Sequence, residues 1–220
     1  MNKYIFKNKK FDVAICLNGE IPDKEVFGLI TGIPLIAADG AYNMLNSMDI
    51  HPMAIVGDMD SVDCLHDDSK TQFVKVDSQE TNDFEKCIQF INGKGYNNVL
   101  IIGFTGGLLE HSLNNTSIIM KYSQQYDFTI YHQQRYSFLV ENSSEFEVKP
   151  DELVSIIPYP IVKLTTHNLK WELRSEFLEL GVQEGARNIA VADTFSLDVH
   201  TGKCFVFIDS HLPHCPEKIR

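Results

Sequence analysis

Between residues 12 and 131 the apolar positions gather in six short runs: Asp12–Leu17, Pro34–Ala38, Met53–Val56, Gln72–Val76, Asn98–Ile102 and Asp127–Tyr131. The runs are rich in Val, Ile and Phe and mostly lack strict apolar–polar alternation. That pattern predicts strands buried on both faces, as in a parallel sheet covered by helices. Between the runs the spacing becomes helical. Over Asn82–Asn92, the residues Phe84, Cys87, Ile88 and Ile91 stand at i, i+3, i+4 and i+7, one face of a helix. Asn82 is its expected cap, with Glu85 at the capping-box position. Leu109, Leu113, Thr116 and Met120 form a similar stripe in a following helix. Together these predict a doubly wound α/β architecture.

After about residue 135 the rhythm changes. Short strand candidates follow one another at Tyr136–Val140, Glu145–Val148, Leu153–Ile157, Val162–Leu164, Glu176–Leu180, Ile189–Val191, Phe195–Val199 and Cys204–Ile208. Turn residues separate many of them, including Lys149-Pro150-Asp151, Glu184-Gly185 and Thr201-Gly202. Close spacing without a long helical stripe predicts an antiparallel sandwich or barrel. The expected fold class is therefore α/β: a mostly parallel α/β domain over residues 1–134, followed by an all-β sandwich domain over residues 135–220.

Composition narrows the function classes. The chain has 220 residues, 44% hydrophobic and 22% charged, which are ordinary globular values. Nineteen Lys and Arg against 30 Asp and Glu leave a net charge of −11. Such a chain repels nucleic-acid phosphates and anionic lipids, so no nucleic-acid partner is expected. The five cysteines, Cys16, Cys64, Cys87, Cys204 and Cys215, are scattered and never spaced CxxC. Reduced thiols are expected rather than a zinc or redox site. The N-terminus carries lysines but no apolar signal-type segment, and no run approaches the roughly 18 residues of a membrane helix. The expected location is the cytoplasm, without a membrane partner.

The polar clusters follow the strand-like runs, where ligands bind in an open α/β sheet. Asp39-Gly40-Ala41-Tyr42-Asn43 follows the second run and Gly57-Asp58-Met59-Asp60-Ser61 the third. Gln79-Glu80-Thr81-Asn82-Asp83 follows the fourth, and Gly103-Phe104-Thr105-Gly106-Gly107 the fifth. Any single aspartate there could cap a turn. Four of them, Asp39, Asp58, Asp60 and Asp83, on one rim repel each other unless a hard divalent cation joins them. A metal–phosphate site is the favoured reading. The glycine-rich turn suits phosphate through its backbone N–H groups, although it is neither a Walker A loop nor GxGxxG. His111 is open to two readings, a solvent-facing residue or a phosphate or proton-transfer group. Trp171, the one tryptophan, is either core or a stacking surface for a flat ring.

In order, these segments resemble the thiamine pyrophosphokinase family. Asp39 to Asn43 resembles its ADGGAN segment, and Ile55 to Ser61 its IxGDFDS segment. Gln79 to Cys87 resembles its acidic helix start, Gly103 to Asn115 its GATGGRLDHTLAN, and Thr165 to Leu173 its TTxGLKWxL. The resemblance implies diphosphate transfer from ATP to thiamine, with Mg²⁺, in a homodimer whose active site lies between subunits. It implies Asp39, Asp58, Asp60 and Asp83 as catalytic carboxylates, with Asp58, Asp60 and Asp83 holding the metal. It implies Asn43, Lys86, Thr105, Gly106, Gly107, Glu110, His111 and Asn115 for ATP, and Gln79, Trp171 and Asn188 for thiamine. Three positions depart from the pattern: Leu108 stands for an Arg, Glu110 for an Asp and Arg187 for a Ser. Two other readings stay open: a pyrophosphokinase for another flat alcohol, such as a hydroxymethylpterin, or a catalytically silent nucleotide-binding protein.

Overall fold

The computed structural model describes residues 1–62, 71–78 and 80–219. Strand β1 (Asn2–Ile5) opens the chain. Residues from Lys10 to Gln133 then form one compact unit. Its elements are β2 (Val13–Cys16), α1 (Lys24–Leu29), β3 (Leu35–Ala38), α2 (Ala41–Ser47), β4 (Ala54–Gly57), β5 (Gln72–Lys75), α3 (Asp83–Ile91), β6 (Asn98–Ile102), α4 (Leu109–Tyr122) and β7 (Asp127–His132). These strands are all parallel, in the order β5-β4-β3-β2-β6-β7. The winding reverses between β2 and β6, so a crevice is expected beyond their carboxyl ends.

Every residue of β2, β3, β4 and β6 is buried. Their continuous apolar runs are what a sheet with both faces covered requires. Burying a side chain such as Ile15, Ile36, Ile55 or Leu100 contributes about 1.5–3 kcal/mol each. β5 departs from the expectation. It is the last strand in the order and Phe73 is 38% exposed.

α3 buries Phe84, Cys87, Ile88 and Ile91, the predicted face. The Asn82 side chain accepts the Glu85 N–H at 2.9 Å, so the cap forms. The expected return bond of a capping box is replaced. The Glu85 carboxylate instead accepts from Tyr122 Oη at 2.6 Å and from Lys121 Nζ, tying α3 to α4. Burial pushes its pKa up, but those two donors outweigh it and hold the group below its ordinary value.

α4 corrects the sequence reading more sharply. Its buried residues are Asn115, Ile118 and Ile119, while Leu109 and Leu113 are 71% and 58% exposed. The stripe is helical as expected, but Leu109 and Leu113 lie outside the buried face.

Residues 1–9 and 134–220 form the second compact unit. Its further strands are β8 (Arg135–Val140), β9 (Ser144–Glu147), β10 (Leu153–His167), β11 (Glu176–Glu179), β12 (Gly185–Ile189), β13 (Thr194–Asp209) and β14 (Glu217–Ile219). β10 and β13 pair antiparallel along most of their length. β10 also carries β11 and β12, and β13 carries β8 and β9.

Two expected strand pairs are thus single long strands. Leu153–Ile157 and Val162–Leu164 join in β10, and Phe195–Val199 and Cys204–Ile208 join in β13. The register shifts between Pro158 and Val162 and again beside Thr201, part of an expected turn. A proline has no N–H to lose at such a bulge. Gly202 has φ +81°, and a Cβ there would lie 2.1 Å from the Ile161 carbonyl oxygen, so only glycine lets the strands meet. Gly185, read as part of a turn, opens β12.

The N-terminus also differs from the expected division at residue 134. β1 pairs parallel with β9 and antiparallel with β14. Tyr4 stacks on Phe146 at 4.4 Å between centroids, and Phe6 lies beside Tyr136 and Phe138. The aromatic core therefore recruits residues 1–9. Among the described residues, no helix is long and apolar enough to cross a membrane.

Candidate active site

The carboxyl ends of β3 and β4 turn sharply toward each other. Asp39 follows β3 with φ 39° and is buried. Its N–H donates to the Val56 carbonyl at 3.0 Å, and its Oδ1 accepts the Met59 N–H at 3.0 Å. A Cβ on Gly57 would lie 2.5 Å from the Asp39 Cβ, so this approach of the two loops requires glycine. Asp58 Oδ1 accepts the Asp60 N–H at 3.4 Å, and Asp60 Oδ1 accepts the Ser61 hydroxyl at 2.9 Å. Asn43 Nδ2 donates to the Ser61 carbonyl at 2.8 Å and fastens α2 to this loop.

The result is a compact trio. One carboxylate oxygen from each of Asp39, Asp58 and Asp60 lies within 4.8 Å of the others. Asp83 stands apart from that trio as the first residue of α3. Lys86 joins the two parts. Its buried Nζ lies 2.9 Å from Asp83 Oδ1 and 3.6 Å from Asp58 Oδ2. Burial disfavours the ammonium, but hydrogen bonds and charge from Asp83 and Asp58 outweigh it and raise the Lys86 pKa. Burial raises the Asp83 pKa, with Lys86 opposing and Asp39 and Asp58 adding. The sequence reading placed Lys86 with ATP; its observed partners are the carboxylates.

The glycine-rich loop runs from the end of β6 into α4. Gly103, Gly106 and Gly107 all hold positive φ. Asn115, buried on α4, donates through Nδ2 to the Phe104 carbonyl at 3.0 Å. It therefore supports the loop from behind. Thr105 Oγ1 lies 3.1 Å from His132 Nδ1, and the Glu20 N–H donates to the Thr105 carbonyl. Glu20 and His132 escaped the sequence reading; their one signal was position at the end of a strand-like run. Glu110 and His111 are exposed in the first turn of α4, and Leu108 before them is 61% exposed. Gln79 lies outside the described residues.

Trp171 and Asn188 belong to the second unit. Trp171 is 56% exposed, so it is not core. Asn188 is buried and bonds the Trp171 backbone. Arg187 lies beside it with φ 60°, and its N–H donates to Ser155 Oγ at 3.0 Å.

Residues 33–132 match the family model for the thiamin pyrophosphokinase catalytic domain. That segment, a little under half of the chain, is similar to the thiamin pyrophosphokinase family. It contains the trio, Asp83, Lys86 and the glycine-rich loop, so the expected resemblance is borne out over the stretch that holds them. The fold is also that of solved thiamin pyrophosphokinases. The Bacillus subtilis protein aligns with TM-score 0.76 and 18% identity, covering 90% of this chain and 98% of its own. The yeast protein aligns with TM-score 0.79 and 16% identity, covering 93% and 88%. The Candida albicans protein aligns with TM-score 0.74 and 17% identity, covering 96% and 99%. No curated protein matches the chain by sequence.

Proposed function

We propose that this protein acts as a thiamin pyrophosphokinase and transfers the terminal diphosphate of ATP to the hydroxyl of thiamine, giving thiamine diphosphate and AMP. The observation that carries the reading is the Asp39–Asp58–Asp60 trio with Lys86, inside the segment matched to the catalytic domain. Three hard oxygen donors so close together suit Mg²⁺. When bound, that ion supplies positive charge that offsets the charge of the transferring phosphates. The trio holds it; Lys86 keeps Asp83 and Asp58 in place and limits their repulsion. The loop from Gly103 to Gly107 and the N-terminus of α4 offer N–H groups to phosphate oxygens. In the transfer, the thiamine oxygen forms a bond to the β-phosphorus as the bond to the α,β-bridging oxygen breaks. AMP leaves and the hydroxyl proton passes to a rim carboxylate. Positioning and electrostatics supply most of the acceleration in such chemistry.

In this reading residues 10–133 bind the nucleotide and Trp171 stacks on thiamine. The resemblance further supports a homodimer, for which a solution mass near twice 25.0 kDa is expected. The deciding experiment measures AMP release from Mg²⁺–ATP with and without thiamine, with products identified by mass. Thiamine-dependent AMP with thiamine diphosphate is expected. ATP binding without AMP release would refute the reading and favour the silent alternative, to which the exposed Leu108 points.

A further inference from the structure

We infer that Asn188 is a positioning residue that holds Trp171 as a fixed aromatic platform, acting on the acceptor through that ring and not by touching it. The inference rests on the proposed thiamine chemistry for its kinetic consequence, but its structural part stands alone. The Asn188 side chain is buried. Its Oδ1 accepts the Trp171 N–H at 3.1 Å and the Ile189 N–H at 2.9 Å. Its Nδ2 donates to the Trp171 carbonyl at 2.7 Å. One carboxamide therefore satisfies both backbone groups of Trp171. Two donors fill the accepting capacity of Oδ1.

The surrounding turn is fastened as firmly. The Lys170 N–H donates to the Ile189 carbonyl at 2.9 Å, and the Val191 N–H to the Asn168 carbonyl at 3.0 Å. Asn168 Nδ2 reaches the Thr194 carbonyl at 3.1 Å, and Leu169 is buried opposite Ala190. Trp171 itself is nevertheless 56% exposed, with Lys170 Nζ 4.9 Å from its ring centroid. A turn needs no tryptophan to be stable, and an exposed tryptophan needs no clamped backbone. Their combination is what preorganised recognition of a flat ring requires, because the ordering cost is met before binding.

Trp171 is the only tryptophan, so its fluorescence reports this site alone. In Asn188→Ala we expect lower steady-state anisotropy and stronger acrylamide quenching of Trp171. KM for thiamine should rise about 5–10-fold, while KM for ATP and kcat stay within about twofold. Asn188→Asp, which keeps the two accepted bonds and loses the donated one, should fall between. In a Trp171→Ala background, adding Asn188→Ala should raise KM for thiamine less than about twofold, since both changes act through one ring. Unchanged anisotropy in Asn188→Ala would overturn the inference. So would an equal rise in KM with and without Trp171, which would mean direct contact with the ligand. If Asn188→Ala does not fold, Asn188→Asp carries the same readouts. If the wild type turns over no thiamine, the functional reading fails, and anisotropy alone decides the role of Asn188.

Discussion

Replacing Lys86 with methionine removes one buried positive charge and leaves the side-chain volume nearly intact. At the observed separations of 2.9 Å and 3.6 Å, an effective dielectric of about 20 gives gross attractions of about 6 and about 5 kcal/mol. Taking the ammonium out of water costs several kcal/mol and cancels much of this. Breaking a fully buried pair costs about 3–5 kcal/mol. Asp83 and Asp58 are 39% and 18% exposed, so water recovers part of the loss and about 2–3 kcal/mol remains. For a chain of this length that lowers Tm by about 4–12 °C. Thermal unfolding of Lys86→Met at pH 7, without divalent cations, is the assay. Two further results are expected. Mg²⁺ should raise Tm more in the variant than in the wild type, because it meets carboxylates that have lost their cation. The double variant Lys86→Met/Asp83→Asn should be more stable than Lys86→Met. A single variant within about 1 °C of wild type, or a double variant less stable than the single, would show that Lys86 does not hold the carboxylates in place.

Asp58→Asn should lower kcat at least about 100-fold with an unchanged circular dichroism spectrum and loss of Mg²⁺-dependent stabilisation; near-normal turnover would remove Asp58 from the mechanism. His211, stacked on Phe6 at 4.0 Å, has its pKa lowered chiefly by burial. The fold therefore favours its neutral form: stability is undiminished above the unfolded value near 6.5 and falls as pH drops below it. His211→Phe should flatten stability between about pH 7 and 5; an equally steep profile in the variant would exclude His211. Burial pushes the Cys16 and Cys204 thiols up to about 12 and raises Cys87 as well. Cys215 is also buried, so Ellman's reagent at pH 8 should label at most Cys64 before unfolding; a second reactive thiol would contradict the structure.

The central strands were legible because of where they lie. A parallel strand covered on both faces must be apolar throughout, so β2, β3, β4 and β6 write their burial directly into the chain. α3 was legible for a local reason: one apolar face and an asparagine that caps its own helix. The order of aspartates at strand ends was likewise readable, and three of them, Asp39, Asp58 and Asp60, do come together.

What escaped reading depends on neighbours distant in sequence. The spacing of Leu109 and Leu113 reveals a helical face but not what lies opposite, and the face that became buried is that of Ile118 and Ile119. β1 is four residues long, and its partners lie more than a hundred residues away, so no local pattern announces it. Gly202 and Pro158 carry turn chemistry, but pairing of β10 with β13 absorbs them as bulges. The division of four carboxylates into a trio and a lysine-bound Asp83 follows the same rule. Local pattern sets which residues are apolar, capped or charged. Which of them meet is set by how strands and helices pack, because a contact's energy depends on distance in space and not on distance along the chain.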